Sequence, residues 1–270
     1  MSQESSYNHR RAHIQAAYLL PHLRPHHHVL DVGSGSGSIT RDFAALCPEG
    51  RVVGVDASPT MVEFARQTHL GDGDQPPPQN LSFDICNAED LSVFPDASFD
   101  VVHAHTCITH VQDRVAALRE FRRVCKPGGV VALRDPLDIV EQVRWTPDLP
   151  VMKYHGRLAA SLLRARGGHP QAGSHLADWA REAGFERDGG KIEVGFGDEK
   201  QTEVLNIVGR GIGKDEAIQR GILTESQLNQ FTEAYEVWHR TEGHIQVGKV
   251  AEVLCFKGLR VPDGRNEQVS

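Results

Sequence analysis

The spacing of apolar residues changes period along the chain, and each change predicts an element. Residues 10–23 carry Ile14, Ala17, Tyr18 and Leu19 on or near one helical face, until Pro21 and Pro25 end the segment. Val29 to Val32 is a short buried strand interrupted by Asp31, and Ile39, Phe43 and Leu46 stripe the helix beyond a glycine turn. Residues 51–56 form a second strand; Ser58 then serves as N-cap and Pro59 as first helical residue, and Met61, Val62, Phe64 and Ala65 turn inward. Residues 71–80, with prolines at 76–78, read as a surface loop. Strands at 81–85, 99–104 and 130–134 follow, separated by a helix over 111–125 that buries Val111, Val115, Leu118 and Phe121. Strands alternating with helices at this pace predict a parallel sheet covered on both faces.

Beyond Asp135 the pattern loosens. A helix spans about 153–166, Ser174 caps another carrying Leu176, Trp179, Ala180 and Ala183, and residues 191–196 form a strand. Thr224-Glu225-Ser226-Gln227 is a capping box stapled by Leu223 and Leu228; its helix carries Phe231, Tyr235 and Trp238. Residues 250–256 close the pattern as a strand, and no internal repeat is found.

The chain has 270 residues, enough for one full-sized core, and a net charge of −7 with no basic block, which argues against a nucleic-acid substrate. Met1 to Asn8 is polar, and no stretch approaches membrane-spanning length, so no membrane insertion is expected. Five scattered cysteines without a C-x-x-C pair read as free thiols of a reducing cytoplasm.

The chemistry concentrates at Asp31-Val32-Gly33-Ser34-Gly35-Ser36-Gly37, where a strand ends in a tight turn before a helix N-terminus. Such a junction receives nucleotide-like ligands. A dinucleotide site wants G-x-G-x-x-G, whereas here the glycines run G-x-G-x-G and position 38 is serine. Asp31 would lie beside a pyrophosphate, an unfavourable neighbour, but suits a ligand bearing an ammonium group. Asp56, at the carboxyl end of the second strand, is placed to accept both hydroxyls of a ribose.

Four segments in order carry a family resemblance: the D-x-G-x-G-x-G turn, Cys86-Asn87-Ala88-Glu89-Asp90-Leu91, Phe99-Asp100-Val101-Val102, and Arg123-Val124-Cys125-Lys126-Pro127-Gly128-Gly129. Together they resemble class I S-adenosylmethionine-dependent methyltransferases, especially the UbiE-like (ubiquinone/menaquinone-type) branch and its secondary-metabolism members. The resemblance implies an α/β fold: a Rossmann-like, seven-stranded, mostly parallel sheet with helices on both faces, an antiparallel last strand and a helical lid. It implies one methyltransferase domain over 1–270. Residues 1–28 would form a helical cap, 29–135 the cofactor-binding half, and 136–270 the substrate half with a helical insertion at about 200–242.

The implied cofactor is S-adenosyl-L-methionine, leaving as S-adenosyl-L-homocysteine. Asp31, Gly33, Ser34, Gly35 and Gly37 would hold its amino-acid end, Asp56, Ala57 and Met61 its ribose side, and Asn87 and Ala88 its adenine. Asn87 stands where the family often has an acid, so an amide oxygen replaces the carboxylate as acceptor.

His103 and His105 share one side of the fourth strand, with His103 expected against the cofactor and His105 as general base. The competing reading has both merely lining the pocket, with His110 packing at the next helix. No metal site is expected, because the histidines lack a clustered carboxylate set. Trp145, Trp179, Tyr235 and Trp238 would form an apolar lid over a flat substrate, or alternatively core. The expected partner is a small-molecule methyl acceptor, a secondary metabolite or quinone-like ring, and the expected state is monomer or homodimer. Rival readings are an NAD-dependent oxidoreductase, a sulfonium-assisted cyclisation or elimination without methyl loss, and a non-catalytic binding protein.

Overall fold

The computed structural model of the protein describes residues 10–71, 78–201 and 214–259. Among these, the strands are β1 (Val29–Val32), β2 (Val52–Asp56), β3 (Leu81–Ile85), β4 (Phe99–His105), β5 (Cys125–Pro136), β6 (Val143–Thr146), β7 (Lys191–Gln201) and β8 (Ile245–Phe256). The helices are α1 (Ala12–Gln15), α2 (Ser38–Leu46), α3 (Pro59–Leu70), α4 (Arg114–Val124), α5 (Lys153–Ala165), α6 (Ala172–Glu182), α7 (Lys214–Gln219) and α8 (Glu225–Arg240).

The strands form one sheet in the order β3-β2-β1-β4-β5-β8. The first five are parallel, and β8 runs antiparallel to β5. β7 lies along the far edge of β8, while β6 pairs Ile245 to Gly248 on the near edge, beyond the end of β5. The sheet thus has eight strands rather than the seven expected. The extra one, β6, is a four-residue segment too short for its alternation to register.

Period-two alternation divides the core. Leu30, Val32, Val53, Val55, Val102 and Ala104 pack on one face with Leu118 and Phe121 of α4 and Leu176 of α6. Val29, Val52 and Val101 pack on the other with Leu19, Ile39 and Phe43 of the α2 side and Val62 of α3. Asp31, His103 and His105 share the second face by parity, so their surroundings depend on what α2 covers.

Local signals acted where expected. The Ser58 hydroxyl accepts from Met61 N–H at 3.4 Å with Pro59 at the first turn. The Thr224 capping box is complete: Thr224 Oγ1 accepts from Gln227 N–H, and Gln227 Oε1 accepts from Thr224 N–H at 2.9 Å. Replacing Thr224 by alanine is expected to lower stability by about 0.5–2 kcal/mol, read from the urea midpoint, because one N-terminal donor of α8 loses its acceptor.

Other expectations are corrected. The helix over 10–23 is one turn, α1, followed by a 3-10 turn at Leu20–His22. α4 begins at Arg114, because Asp113 caps it by accepting from Ala116 N–H. Ser174 does not cap α6; it lies inside the first turn and donates to Leu137 carbonyl. β7 and β8 extend beyond the runs at 191–196 and 250–256, their polar residues being paired through backbone bonds. Of the expected insertion, residues 202–213 lie outside the described residues, and 214–240 hold α7 and α8. Most of the proline loop and the first nine residues of the cap also lie outside them.

A third cluster joins Trp145 of β6, Met152, Leu158 of α5, and Leu228, Phe231, Tyr235 and Trp238 of α8. Trp145 and Trp238 meet edge to face at 5.1 Å. Trp179 does not belong to it. It meets His169 edge to face and lies tilted against His175 of α6, under the Arg114 guanidinium.

Candidate active site

The carboxyl ends of β1, β2 and β4 open into two cavities that share Gly33, Asp56, Thr106 and His110. The first, about 420 Å³, is bounded by Asp56, Ala57, Asn87, Ala88 and Val111. The second, about 380 Å³, runs from Asp31, Gly33, Ser34, Gly35 and Met61 out to His105, His155 and Glu199. Ligands of α/β sheets settle at such strand ends.

The glycine turn is wired inward. Gly33 and Ser34 N–H both donate to Val55 carbonyl, Gly37 N–H to Ser34 carbonyl, and Gly35 N–H to Asp56 Oδ2 at 3.0 Å. These four amides therefore have protein acceptors and are not offered to a pyrophosphate. Gly37 has φ of +78°, and a Cβ there would meet the Phe83 ring at 2.6 Å, so this glycine lets α2 close on β3. A Cβ on Gly35 would approach Met61 no nearer than 3.8 Å, so that side of the turn faces space.

Asp56 splits its carboxylate between Gly35 N–H and, through Oδ1, Ser58 N–H at 2.9 Å. Each oxygen keeps a lone pair for a hydroxyl donor. Asp31, 3% exposed, accepts from Thr40 Oγ1 at 2.6 Å and holds His103 Nδ1 at 2.7 Å. Both oxygens are oriented from behind, and the carboxylate borders the second cavity. Anchored carboxylates at the two ends of a glycine turn fit a ligand with a diol and an ammonium.

One expected contact is corrected. His103 does not reach either cavity: it is fully buried behind Asp31, edge-on to Phe43 at 5.0 Å, and orients that carboxylate instead. The Asn87 amide oxygen accepts from Glu89 N–H at 3.1 Å, closing a local turn, and keeps a second lone pair where Asn87 borders the first cavity.

His105 does line the second cavity. Neither ring nitrogen has a hydrogen-bond partner; Nε2 lies 3.7 Å from Glu199 Oε1. Burial and the Arg10 charge press its pKa down to about 4 against the opposing pull of Glu199, so the ring is neutral at physiological pH. Thr106, which borders both cavities, has φ of +52°, a strained turn for a β-branched residue at the strand exit.

Several cavity residues were missed from the sequence, namely Arg10, His155, Glu199, Gln201, Gln246 and Lys249. Arg134, which pairs with Glu199, and Glu252, which pairs with Arg134, were missed too. The available signal was a charge inside each of two apolar strands, Arg134 in β5 and Glu252 in β8.

Asp135, next to Arg134, is fully buried; Oδ1 accepts from Thr109 N–H at 2.9 Å and Oδ2 has no partner. Burial outweighs that bond and raises its pKa to about 7. The fold therefore binds a proton that the unfolded chain releases above about pH 4, and stability falls as pH rises through this interval. Asp135→Asn is expected to stabilise by about 1–3 kcal/mol at alkaline pH and little in acid, read from urea midpoints at both.

Comparison with known proteins defines the class: residues 30–133 match the methyltransferase domain family. The probable methyltransferase ltbC of Aspergillus luteorubrus is 29% identical over 268 residues, covering 92% of each chain. The ubiquinone/menaquinone biosynthesis C-methyltransferase UbiE of Hahella chejuensis is 41% identical over 104 residues, 37% of this chain and 39% of that enzyme. The solved YcgJ protein of Bacillus subtilis shares the fold, with a TM-score of 0.56 at 22% identity, over 90% of this chain and 98% of that one. The chain thus carries a methyltransferase domain over residues 30–133 within a class I methyltransferase fold, has UbiE-like relatives, and uses S-adenosylmethionine as its cofactor.

Proposed function

We propose that the enzyme methylates a small hydroxyl-bearing molecule, a quinone-like ring or secondary metabolite, held in the cavity between Gly33 and Glu199. The observation that carries this reading is the junction of the two cavities at Gly33, Asp56, Thr106 and His110. A donor bound across it has its nucleoside end beside Asp56, Ala57 and Ala88 and its amino-acid end beside Asp31 and Gly35. Bound S-adenosylmethionine supplies a methyl group on a positive sulfur that leaves as a neutral thioether.

The residues then have three tasks. Asp31 and Asp56 fix the donor's ends. Pro136, Ile139, Val143, Ala159 and Val250 give the acceptor an apolar wall, which with the Trp145–Trp238 cluster behind it limits water. His105, neutral and facing the acceptor, takes up its acidic proton as general base. Residues 29–135 serve as the cofactor half and 136–270 as the acceptor half of one domain.

Among the described residues no helix is long and apolar enough to cross a membrane. The free thiols of all five cysteines suit a cytoplasmic enzyme, as monomer or homodimer. The net charge of −7 argues against a nucleic-acid acceptor.

The test is calorimetry followed by product mass. S-adenosylhomocysteine should bind and NAD should not, and hydroxyquinones incubated with enzyme and donor should gain one methylene. Donor consumption with unchanged acceptor mass would replace methyl transfer by a cyclisation or elimination.

A further inference from the structure

Across the sheet from His105 runs a row of charges that the proposed reaction leaves without a task. His105 on β4 stands in register with Arg134 on β5, and Arg134 with Glu252 on β8. Residues in register share a face. Arg134, 2% exposed, donates from Nε to Glu252 Oε1 at 3.1 Å and from Nη2 to Asp198 carbonyl at 3.0 Å, and pairs through Nη1 with Glu199 Oε2.

The sequence makes room for this row. β7 carries glycine at 195 and 197, and a Cβ at 197 would stand 2.7 Å from Glu252 Oε1. Two residues further along the same face, Glu199 turns its other oxygen, Oε1, toward His105 Nε2 at 3.7 Å, with Arg10 Nε at 3.8 Å. Glu199 is 8% exposed, and a carboxylate so buried is braced by partners or lost to protonation. Here burial is outweighed by His105, Arg134 and Arg10, and Glu199 stays ionised well below the usual carboxylate range.

We propose that Glu199 is a positioning residue for His105: its carboxylate keeps the proton of the neutral ring on Nε2 and holds the imidazolium formed when Nδ1 takes the acceptor's proton. The assignment rests on the reading of His105 as base. In that step the acceptor's bond to hydrogen breaks, the electron pair stays on the acceptor, the Nδ1–H bond forms, and the new positive charge lies beside Glu199. Without an anion there, the ring would gain that charge facing only Arg10 and Arg134. The groups facing the ring are thus Glu199 from β7, Arg134 from β5 and Arg10 from the N-terminal segment. Asp135 turns its carboxyl to Thr109 instead. A carboxylate on one imidazole nitrogen sets which tautomer the ring adopts.

The test is nitrogen NMR of ¹⁵N-histidine-labelled protein, with the His105 signals identified by their absence in His105→Gln. In the wild-type protein at neutral pH, His105 should show the Nε2–H tautomer. Glu199→Ala should mix the two tautomers, and Glu199→Asp, which keeps the charge, should restore the first. In acid, Glu199→Gln should lower the protonation midpoint of His105 by about one unit, tenfold in proton affinity. The same tautomer in Glu199→Ala, or an unmoved midpoint in Glu199→Gln, overturns the assignment; a merely structural glutamate would give that result. These spectra need neither donor nor acceptor, so their outcome is separate from that of the binding and mass measurements on the proposed reaction.

Discussion

Asp56→Ala is expected to weaken S-adenosylhomocysteine binding by about 10²–10³-fold, since two hydrogen bonds from hydroxyls to a charged acceptor are lost together. Part of the loss comes from the free protein. The same carboxylate ties Gly35 N–H at the glycine turn and Ser58 N–H at the start of α3, so alanine also releases the turn from β2. Asp56→Asn separates the contributions, because the amide keeps one acceptor oxygen and should retain part of the affinity. Titration calorimetry measures both variants, and an affinity unchanged in Asp56→Ala would remove Asp56 from the ribose contact. NAD should remain a non-ligand throughout, because the turn amides that a pyrophosphate would need are already bonded to Val55, Ser34 and Asp56.

The first strands and helix starts were legible because their determinants are local. A strand, a glycine turn and a helix lie within residues 29–46, and Ser58-Pro59 and Thr224 to Gln227 state their helix starts within one turn. His103 and His105 show where local parity stops informing. Both point to the same face, as alternation requires, but His103 lies opposite Asp31 under Phe43 of α2. His105, at the last position of β4, has passed the edge of that cover. Which of two equivalent residues reaches a cavity is set by the register of β1 against β4 and by the packing of α2.

The charge row was illegible for a stronger reason. Arg134 meets Glu199 and Glu252 across 65 and 118 residues of sequence, through an antiparallel strand placed between neighbours distant in the chain. A lone arginine in β5 and a lone glutamate in β8 marked two buried charges needing partners, without naming them. Trp179 failed differently: its helical spacing suits either core or lid, and only the docking of α6 against Arg114 and the histidines decided against the lid.

His105→Gln is expected to reduce kcat for methyl transfer by about 10²–10⁴-fold while S-adenosylhomocysteine still binds normally, the range associated with losing a general base. Glutamine fills much of the ring's space but cannot take up a proton at neutral pH. With a pKa near 4, the wild-type ring is deprotonated across the physiological range, so kcat/KM should stay level through neutrality and fall only as pH approaches that value. The variant should lack this acid limb. Its defect should also shrink as the acceptor becomes more acidic, because a phenol already ionised needs no base; steady-state rates with phenols of graded acidity measure this. A loss independent of acceptor acidity would mean that His105 only shapes the cavity, and normal rates in His105→Gln would remove it from the reaction altogether.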